Sequence, residues 1–446
     1  MKDIQHYMRP GLLQLPSLPP LSLYIHLPWC IKKCPYCDFN SHEVRGDAGA
    51  ASPDTANGKL SNAIEQRYLD ALMADLEASL PLIWGRTVRS IFIGGGTPSL
   101  FSPQAIDQLL AGVRARLRLE ANCEITLEAN PGTFEKDRFK AFRAAGVNRL
   151  SIGVQSFNDE HLKALGRVHS SDQAQAAIAE AALNFEAFNL DIMYALPGQT
   201  VAQCEQDIRK ALSFSPPHIS IYHLTIEPNT YFAKFPPAIP EDDTAYDMLD
   251  RIIELTAAQG MARYEVSAFA KKGFQCWHNT NYWQFGDYLG IGAGAHSKIS
   301  FAHRVVRQVR ARDPALYMDK ALGARLDKPL GAAAACAIAP TGIASLGVSG
   351  TVTSAEASSQ DAVVQDTEVT RADLPFEYML NALRLTDGFK LQDFSDRTGL
   401  AITAIQKGLA QAEAKGLIER DFVQVKPTAR GMDFLSDLQS LFLADS

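Results

Sequence analysis

Three cysteines stand close together near the start of the chain, in the segment CIKKCPYC at 30–37. Cys30, Cys34 and Cys37 directly follow the apolar run LSLYIHLP at 21–28. Thiolates are soft ligands that suit iron–sulfur clusters, and a [4Fe–4S] cube has four irons to coordinate. Three cysteines in one loop can hold three of those irons. The spacing therefore predicts a cluster whose fourth iron stays open to an external chelator.

The same cysteines leave two other interpretations open. A structural zinc site needs a fourth ligand, and His26 and His42 are near enough in the sequence to supply one. The cysteines could also bind no metal at all. The four remaining cysteines are scattered and are expected to be inert small hydrophobic residues; they are Cys123, Cys204, Cys276 and Cys336.

Glycine and polar residues follow several later apolar runs. The glycine run GGGTP at 94–98 lets a ligand approach the backbone without obstruction by Cβ atoms, although a tight strand-to-helix turn would look the same. Glu128, Gln155 and Asp191 lie at or near the ends of further runs, and such acceptors suit ribose hydroxyls and an ammonium group. Each could equally cap a strand or face solvent. Arg167 could pair with a carboxylate or lie on the surface.

Short apolar runs alternate with segments of helical spacing, which predicts βαβ units and a parallel sheet. The fold class is therefore α/β, an open, partial (β/α)6 barrel whose ligands lie at the carboxyl ends of the strands. The predicted strands are 21–28, 90–96, 124–130, 149–155, 189–197 and 218–226, and helical segments include 63–80, 103–119 and 201–214.

Composition divides the chain into five predicted regions. These are an N-terminal segment at 1–20, the barrel with its extension at 21–300, a connecting segment at 301–330, a low-complexity disordered insertion at 331–370 and a C-terminal helical, winged-helix-like domain at 371–446. A flexible loop is predicted at 43–62 inside the barrel. A winged helix often binds DNA, but no basic recognition helix is visible here. We therefore expect a packing or interaction role.

The bulk composition excludes several classes of protein. Of 446 residues, 46% are apolar, which is enough for a globular core. The formal net charge of −7, without a long basic run, argues against nucleic acid as a partner. Neither a signal peptide nor an apolar stretch of about 18 residues is recognisable. Crowded cysteines without a disulfide pattern indicate a reducing compartment, so we expect a cytoplasmic protein.

The CxxxCxxC motif after a first strand resembles that of the radical S-adenosylmethionine superfamily. This resemblance implies that the amine and carboxylate of the methionyl group chelate the open iron. It also implies that reduction of the cluster cleaves the sulfonium to a 5′-deoxyadenosyl radical. Tyr36 stands where the superfamily has an aromatic residue near the adenine, and the GGGTP loop would meet the methionyl amine.

Further segments resemble the coproporphyrinogen-oxidase-like family over most of residues 21–300, and the C-terminal module is similar too. The segments are LSLYIHLPWC, CPYCDFNSH, IFIGGGTPS, LSIGVQSFN, HLKALGRVH, LDIMYALPGQT and YEVSAFA. The resemblance implies a site for S-adenosylmethionine formed by Tyr24, Tyr36, Gly95, Gly96, Thr97, Glu128, Gln155, Arg167 and Asp191, with Thr225 as a further candidate.

This family contains oxygen-independent coproporphyrinogen III oxidases and haem chaperones. The oxidases carry another cysteine two positions after the last ligand, where this chain has Phe39, and an N-terminal extension that is mostly missing here. The chaperones carry an HNxxYW motif tied to haem binding, which matches HNTNYW at 278–283. The resemblance thus favours a chaperone that delivers haem to haem-accepting proteins, which could lie at the membrane. The alternative is the oxidase, which decarboxylates coproporphyrinogen III.

The HNxxYW motif has a physical rationale as a haem site. Its residues are His278, Asn279, Tyr282 and Trp283. Imidazole is a common axial ligand of haem iron, and aromatic rings can cover the macrocycle. In the alternative interpretation His278 hydrogen-bonds the barrel floor, while Tyr282 and Trp283 belong to the core.

Overall fold

The computed structural model of the protein describes residues 4–44, 60–133, 137–323 and 361–443. Its strands are β1 (Leu21–Leu27), β2 (Trp29–Cys30), β3 (His42–Glu43), β4 (Val88–Gly95), β5 (Leu119–Ala129), β6 (Arg149–Gln155), β7 (Ala187–Tyr194), β8 (His218–His223), β9 (Ala262–Arg263), β10 (Ala268–Ala270), β11 (Asp287–Ile291), β12 (His296–Phe301), β13 (Arg304–Arg310), β14 (Val363–Glu368), β15 (Phe389–Lys390), β16 (Ile418–Arg420) and β17 (Gln424–Pro427).

The helices lie between and after these strands. They are α1 (Ile4–Met8), α2 (Asn62–Ser79), α3 (Pro103–Arg116), α4 (Arg138–Ala145), α5 (Asp159–Ala164), α6 (Ser171–Asn184), α7 (Val201–Ser213), α8 (Tyr231–Lys234), α9 (Asp242–Ala258), α10 (Trp277–Trp283), α11 (Pro314–Ala321), α12 (Leu374–Ala382), α13 (Leu391–Thr398), α14 (Gln406–Ala414), α15 (Ala429–Asp433) and α16 (Leu435–Ser440). In the described ranges no helix is both long and apolar enough to cross a membrane.

One large sheet forms the barrel. Its strand order is β14-β13-β12-β11-β1-β4-β5-β6-β7-β8-β10-β9, and β1, β4, β5, β6, β7 and β8 pair in parallel in that sequence. This confirms the predicted α/β fold with a parallel, open barrel, because the six predicted apolar runs are these six strands. A seventh strand, β11, pairs in parallel with the other edge of β1. All these strands therefore end at the same mouth.

The barrel helices begin at residues whose side chains accept backbone N–H bonds. Ser61 caps α2 in this way and Ser102 caps α3. Ser170 and Thr200 form capping boxes with the glutamines three residues later, at the starts of α6 and α7. The apolar faces of these helices pack against the sheet in the largest hydrophobic core. The local sequence thus fixes where each helix starts and which face it buries.

A second hydrophobic core holds the C-terminal unit against the barrel. It joins residues of α12, α13 and α14 to the three-stranded antiparallel sheet β15-β17-β16. Leu13 and Leu15 from the N-terminal segment belong to the same core, as do Phe285 and Val305 from the barrel side. The N-terminal segment therefore packs between the barrel and the C-terminal unit.

The structure corrects several predicted boundaries. The barrel unit extends past residue 300, because β13 and α11 lie in the segment that was expected to be a connector. The prediction of disorder over 331–370 is wrong for Val363–Glu368, which forms β14 at the edge of the large sheet. The rest of that insertion up to residue 360 lies outside the described residues. In the predicted loop 43–62, Glu43 belongs to β3 and α2 begins at Asn62, while 45–59 lies outside the described residues.

A buried ion pair between α2 and β13 yields the first prediction. The carboxylate of Asp75 lies 3.4 Å from Nε of Arg310 and accepts hydrogen bonds from Tyr317 and from the backbone of Gly292. Replacing Asp75 with Ala leaves a fully buried guanidinium without its counter-charge, so we expect a loss of about 3–5 kcal/mol, read from thermal and urea midpoints. As a control, Asp319→Ala breaks an exposed pair with Arg67 and should cost at most about 1 kcal/mol. Equal midpoint shifts would contradict the prediction.

Candidate functional site

The cysteine loop follows the carboxyl end of β1, and hydrogen bonds join its two ends. The short strands β2 and β3 pair in parallel, which brings residues 29–30 against 42–43. Within the loop the backbone N–H of Cys37 donates to the carbonyl of Cys34 at 3.1 Å. The backbone N–H of His42 donates to the carbonyl of Pro28 at 2.7 Å. All three cysteines are partly buried, so their sulfur atoms are held between the loop and the barrel mouth.

Each cysteine sulfur lies beside a different polar side chain. The hydroxyl of Thr97 donates to Sγ of Cys30 at 3.4 Å, and Nη1 of Arg167 lies 3.5 Å from Sγ of Cys34. The Sγ of Cys37 lies 3.7 Å from Oγ of Ser41. Burial raises the pKa of the Cys30 thiol to about 11 and also raises that of Cys37. Thiolates here therefore need positive charge, which a bound cluster supplies together with these donors.

The fourth ligand of a zinc site is not supplied by the nearby histidines. His26 uses both ring nitrogens, Nδ1 to the hydroxyl of Tyr24 at 3.0 Å and Nε2 to the carbonyl of Asn40 at 2.9 Å. Nε2 of His42 lies 3.3 Å from Oδ1 of Asn40. In the part of the chain that the structure describes, no three His, Cys, Asp or Glu side chains converge as ligands of one ion. A [4Fe–4S] cube needs no such convergence, because each cysteine binds a different iron.

The other cysteines lie away from this loop. Cys123, Cys204 and Cys276 are buried, and burial raises the pKa of each to about 12, as expected for inert thiols. Cys336 lies outside the described residues.

The glycine run meets the cysteine loop at the end of β4. The backbone N–H of Thr97 donates to the carbonyl of Trp29 at 2.7 Å. A Cβ at Gly96 would lie 2.6 Å from that same carbonyl oxygen, so only glycine fits there. Gly95 has φ of 119°, a conformation that side chains disfavour, and its N–H donates to Glu128. The run thus packs the two loops together and leaves backbone exposed to the mouth.

Two half-buried carboxyl groups, those of Glu128 and Asp191, face the barrel lumen below the mouth. Burial and the negative charge of Asp191 raise the pKa of Glu128 to about 8. Burial also raises the pKa of Asp191, although Asn189 and Ser151 donate hydrogen bonds to it at 2.8 and 3.0 Å. Tyr24 lies close enough for the charge of Glu128 to add to the effect of burial and raise its pKa. These groups would gain from a cationic ligand, which would favour their ionised form.

The remaining predicted residues lie around the mouth, and Tyr36 and Arg167 lie on the side of the cysteine loop. Gln155 has φ of 68° at the end of β6, a strained conformation of the kind found at functional sites. Nη2 of Arg167 donates to the carbonyl of Gly153 at 2.9 Å, while its buried Nε has no hydrogen-bond partner among the described residues. Tyr36 packs against Phe232, with ring centroids 6.5 Å apart. Thr225 is exposed, and its hydroxyl reaches the carbonyl of His223.

Two residues of the site were not predicted from the sequence. Asn40 joins the cysteine loop to the glycine-rich turn after β11, because its Nδ2 donates to the carbonyls of Ala293 and Arg312 at 2.9 and 2.8 Å. Arg149 lies in the lumen near Asp191 and 4.0 Å from Glu124. In the sequence, Arg149 stands at the start of a predicted strand, where nothing marks it as a residue of the site. The asparagine in CPYCDFNSH was visible in the sequence, but its partners lie about 250 residues away.

The HNxxYW motif forms α10, which lies at the opposite end of the barrel from the cysteines. One carboxylate oxygen of Glu124, which pairs with Ser90 near the start of β4, accepts the backbone N–H groups of Trp277 and His278 at 3.0 and 3.3 Å. Further along the helix, Nδ2 of Asn281 donates to the hydroxyl of Ser22 at the start of β1. The helix therefore crosses the amino ends of the strands.

The side chains of the motif point in different directions. The His278 ring enters the lumen, with its centroid 4.7 Å from that of Phe92 and 6.1 Å from that of Tyr24. Tyr282 packs against Tyr288 of β11. Trp283 faces the C-terminal unit, since the guanidinium of Arg384 lies 4.3 Å from its ring. Asn279 is partly buried. The four residues thus do not share one face.

Buried nitrogens of this motif lack hydrogen-bond partners. Nδ1 of His278 and Nε1 of Trp283 are both buried and unpaired among the residues described here. The alternative interpretation expected His278 to hydrogen-bond the floor of the barrel. Its Nδ1 makes no such bond to the described residues. Burial and the charge of Arg149 lower the pKa of His278 to about 4, so its imidazole is neutral at pH 7. A neutral imidazole with a free nitrogen is the form that binds metal.

Sequence comparison places these features in a known class of protein. Residues 24–211 match the profile of the Radical SAM superfamily, and residues 369–434 match that of the HemN C-terminal domain. The coproporphyrinogen III oxidase of Escherichia coli has a similar structure, with a TM-score of 0.72 over 95% of this chain and 90% of that chain. At 22% sequence identity this similarity establishes the fold alone. The fold and the motifs thus define a radical SAM protein.

Two curated relatives are similar over nearly their whole length. The "Heme chaperone HemW" of Escherichia coli is 43% identical over 433 residues, which cover 96% of this chain and 100% of that protein. The protein of the same name from Haemophilus influenzae is 40% identical over 437 residues, with coverage of 97% and 100%. The chain therefore belongs to the HemW family of haem chaperones.

The raised pKa of Glu128 predicts a pH-dependent stability. Since the folded protein holds this proton up to about pH 8 and the unfolded chain loses it near pH 4.5, the native state binds more protons in between. Stability should fall as the pH rises through this window, by at most about 1.4 kcal/mol per pH unit. Glu128→Gln should remove that slope, measured as the difference between variant and parent in urea midpoints from pH 5.5 to 8.

A matched control for this experiment is Glu205→Gln. Hydrogen bonds from Arg251 and Arg209 lower the pKa of Glu205 to about 2, so its carboxylate stays ionised throughout the window. That variant should keep the slope of the parent protein. The same slope in Glu128→Gln as in the parent would show that the native carboxyl does not carry the proton.

Proposed function

We propose that this protein is a haem chaperone on a radical SAM scaffold. It binds a [4Fe–4S] cluster and S-adenosylmethionine at the carboxyl end of the barrel, binds haem through α10 at the amino end, and delivers haem to haem proteins. The observation that carries the proposal is the half-buried, neutral His278 imidazole beneath Tyr24, whose buried Nδ1 has no hydrogen-bond partner among the described residues. The membership of the HemW family supports the same function.

The cluster site would be formed by Cys30, Cys34 and Cys37. Its fit rests on the soft donor set and on the polar groups of Thr97 and Arg167 that lie beside two of the sulfurs. Hydrogen bonds and positive charge next to thiolates stabilise the anionic form that iron requires. When bound, the cluster supplies one-electron chemistry and an open iron for the cosubstrate. A site of this kind needs reduced thiols, so we propose a reducing compartment such as the cytoplasm.

The cosubstrate site would lie between the cysteine loop and the lumen carboxyls. The backbone N–H groups of Gly95, Gly96 and Thr97 are paired within the protein, so this run would offer carbonyl oxygens to the methionyl ammonium. Glu128, Gln155 and Asp191 would accept from its ammonium and hydroxyl groups, since buried carboxyls gain from a cationic ligand. On the side of the cysteine loop the site would be completed by Tyr24, Tyr36 and Arg167.

The haem site would use the motif residues at the other end. His278 would offer an imidazole nitrogen, while Tyr282 and Trp283 would supply aromatic surface. Asn279 follows His278 in the helix, is partly buried, and would also belong to the haem site. The partners would be haem and haem-accepting proteins, some of them at the membrane; nucleic acid is not among them.

The cluster assignment predicts the effect of removing one cysteine. Cys34→Ala should lose most of the brown absorbance near 400 nm and most of the iron and sulfide after anaerobic reconstitution, because two thiolates do not hold a cube. Cys204→Ala, which removes a buried thiol outside the loop, should keep both signals. Iron contents that match between the two variants would contradict the assignment, and zinc in place of iron and sulfide would support the structural-zinc alternative.

The haem assignment predicts the effect of removing the imidazole. The wild-type protein should shift the Soret band of added haem, and His278→Ala should weaken binding by about tenfold or more, because the axial ligand is lost. His223→Ala removes an exposed imidazole at the opposite end of the barrel and should bind like wild type. An unshifted Soret band with wild type, or equal affinity in His278→Ala, would sink the proposal.

The oxidase alternative is tested by its own product. Phe39 stands where that enzyme would have its additional cysteine, and its side chain is exposed beside the cysteine loop. Under anaerobic conditions with reductant and S-adenosylmethionine, we expect no protoporphyrinogen from coproporphyrinogen III. Release of protoporphyrinogen at the rate of a known oxidase would show oxidase activity and would contradict the chaperone proposal.

A further inference from the structure

A shallow, arginine-lined cavity lies open to solvent on the surface at the amino end of the barrel, next to α10. Its volume is about 470 Å³, and Arg86, Arg89 and Arg397 line it together with one carboxylate, that of Glu120. Apolar atoms of the N-terminal segment around Leu18 complete the wall. Three guanidinium groups in one cavity contrast with the net charge of −7 of the whole chain. The cavity therefore has the charge of an anion site.

The strand geometry points Arg89 into this region. The pairings of β4 with β1 and with β5 both skip Arg89, so it sits in a bulge between Val88 and Ser90. Bulges of this kind re-aim a side chain next to a site. The guanidinium of Arg89 lies 5.1 Å from the ring centre of Trp277, the first residue of α10, while its Nε pairs with Glu120 at 2.9 Å.

The other two arginines, Arg86 and Arg397, differ in whether their donors already have partners in the protein. Arg86 pairs with Asp287 at 2.8 Å and donates to the carbonyl of Pro19 at 2.5 Å, so it is committed to the fold. Arg397, in the last turn of α13, has no ion-pair or hydrogen-bond acceptor within the described ranges and is only partly buried. A half-buried guanidinium with unused donors is available to an anionic ligand.

The cavity adjoins both ends of the helix that carries the haem motif. Arg89 covers Trp277 at its start, and Arg86 holds Asp287, which follows the turn at its end. Asp287 is itself anchored by the buried ammonium of Lys298, which also donates to the carbonyl of Phe285. A ligand bound to α10 would therefore have the guanidiniums within reach of its periphery.

We propose that this arginine cavity receives a propionate carboxylate of haem, with Arg89 and Arg397 as the donors. The inference rests on the proposed function, since it names the group that orients haem at α10. Guanidinium and carboxylate match in a bidentate geometry, and such charge-assisted bonds are the strong ones. Because Arg397 belongs to the C-terminal unit and Arg89 to the barrel, the bound carboxylate would join the two units.

The test compares haem with its dimethyl ester, in which both propionates are neutral. In Soret titrations in one detergent, Arg89→Ala/Arg397→Ala should bind haem about tenfold to 100-fold more weakly than wild type, from the value of charged hydrogen bonds. Its affinity for the ester should not change. Arg209→Ala, on an exposed helix surface, serves as the control and should affect neither ligand. Unchanged haem affinity, or an equal loss for both ligands, overturns the proposal.

A gain of affinity provides a second test that a folding defect could not imitate. Glu120→Gln removes the carboxylate that competes for Arg89, so haem should bind several-fold more tightly, with the ester unaffected. Weaker or unchanged haem binding by this variant overturns the proposal. If wild type shifts the Soret band of neither ligand, the proposed function itself fails, whereas normal haem binding with insensitive variants removes the carboxylate subsite alone.

Discussion

The pairing of β1 with a neighbour on each side is the constraint on which the rest of the structure depends. Along one edge β1 pairs with β4, and along the other it pairs with β11, both in parallel. Since parallel strands run in register, the cysteine loop after β1, the glycine run after β4 and the glycine-rich turn after β11 must meet at one place. The hydrogen bonds of Asn40 and the close approach of Gly96 to Trp29 are consequences of that register.

The lumen between the two ends of the barrel is an unusually polar interior. Glu128 and Asp191 lie below the mouth, and Tyr24 connects them to His26 on one side and to the tilted ring of His278 on the other. Withdrawing these ionisable groups from water is costly, and their altered pKa values report that cost even though Arg149 lies near Asp191. A cation bound at the mouth would reduce this cost for the two carboxyl groups. A ligand on the imidazole of His278 would reduce it at the other end of the lumen. The groups that would bind these ligands therefore lower the stability of the ligand-free protein, and ligand binding would restore it.

The C-terminal unit is tied to the barrel through the same region that carries the HNxxYW motif. Phe285, two residues after the end of α10, has φ of 58°, and its ring belongs to the core of the C-terminal unit. Arg384 stacks on Trp283 from that unit, and the N-terminal segment inserts Leu13 and Leu15 into the same core. Movement of the C-terminal unit would thus alter the surroundings of α10 directly. This gives the module a packing role and requires no basic recognition helix.

The sequence by itself determined the strands, the cysteine loop and the family, because each is encoded in contiguous residues: apolar runs, CxxxCxxC and HNxxYW. Only the tertiary structure decided where those motifs stand. It placed α10 at the end of the barrel opposite the cysteines, gave Asn40 and Arg149 their partners, and added β13, β14 and α11 to the barrel unit. The physical reason is that local patterns specify which face a segment buries, whereas contacts between distant residues depend on the register of the whole sheet.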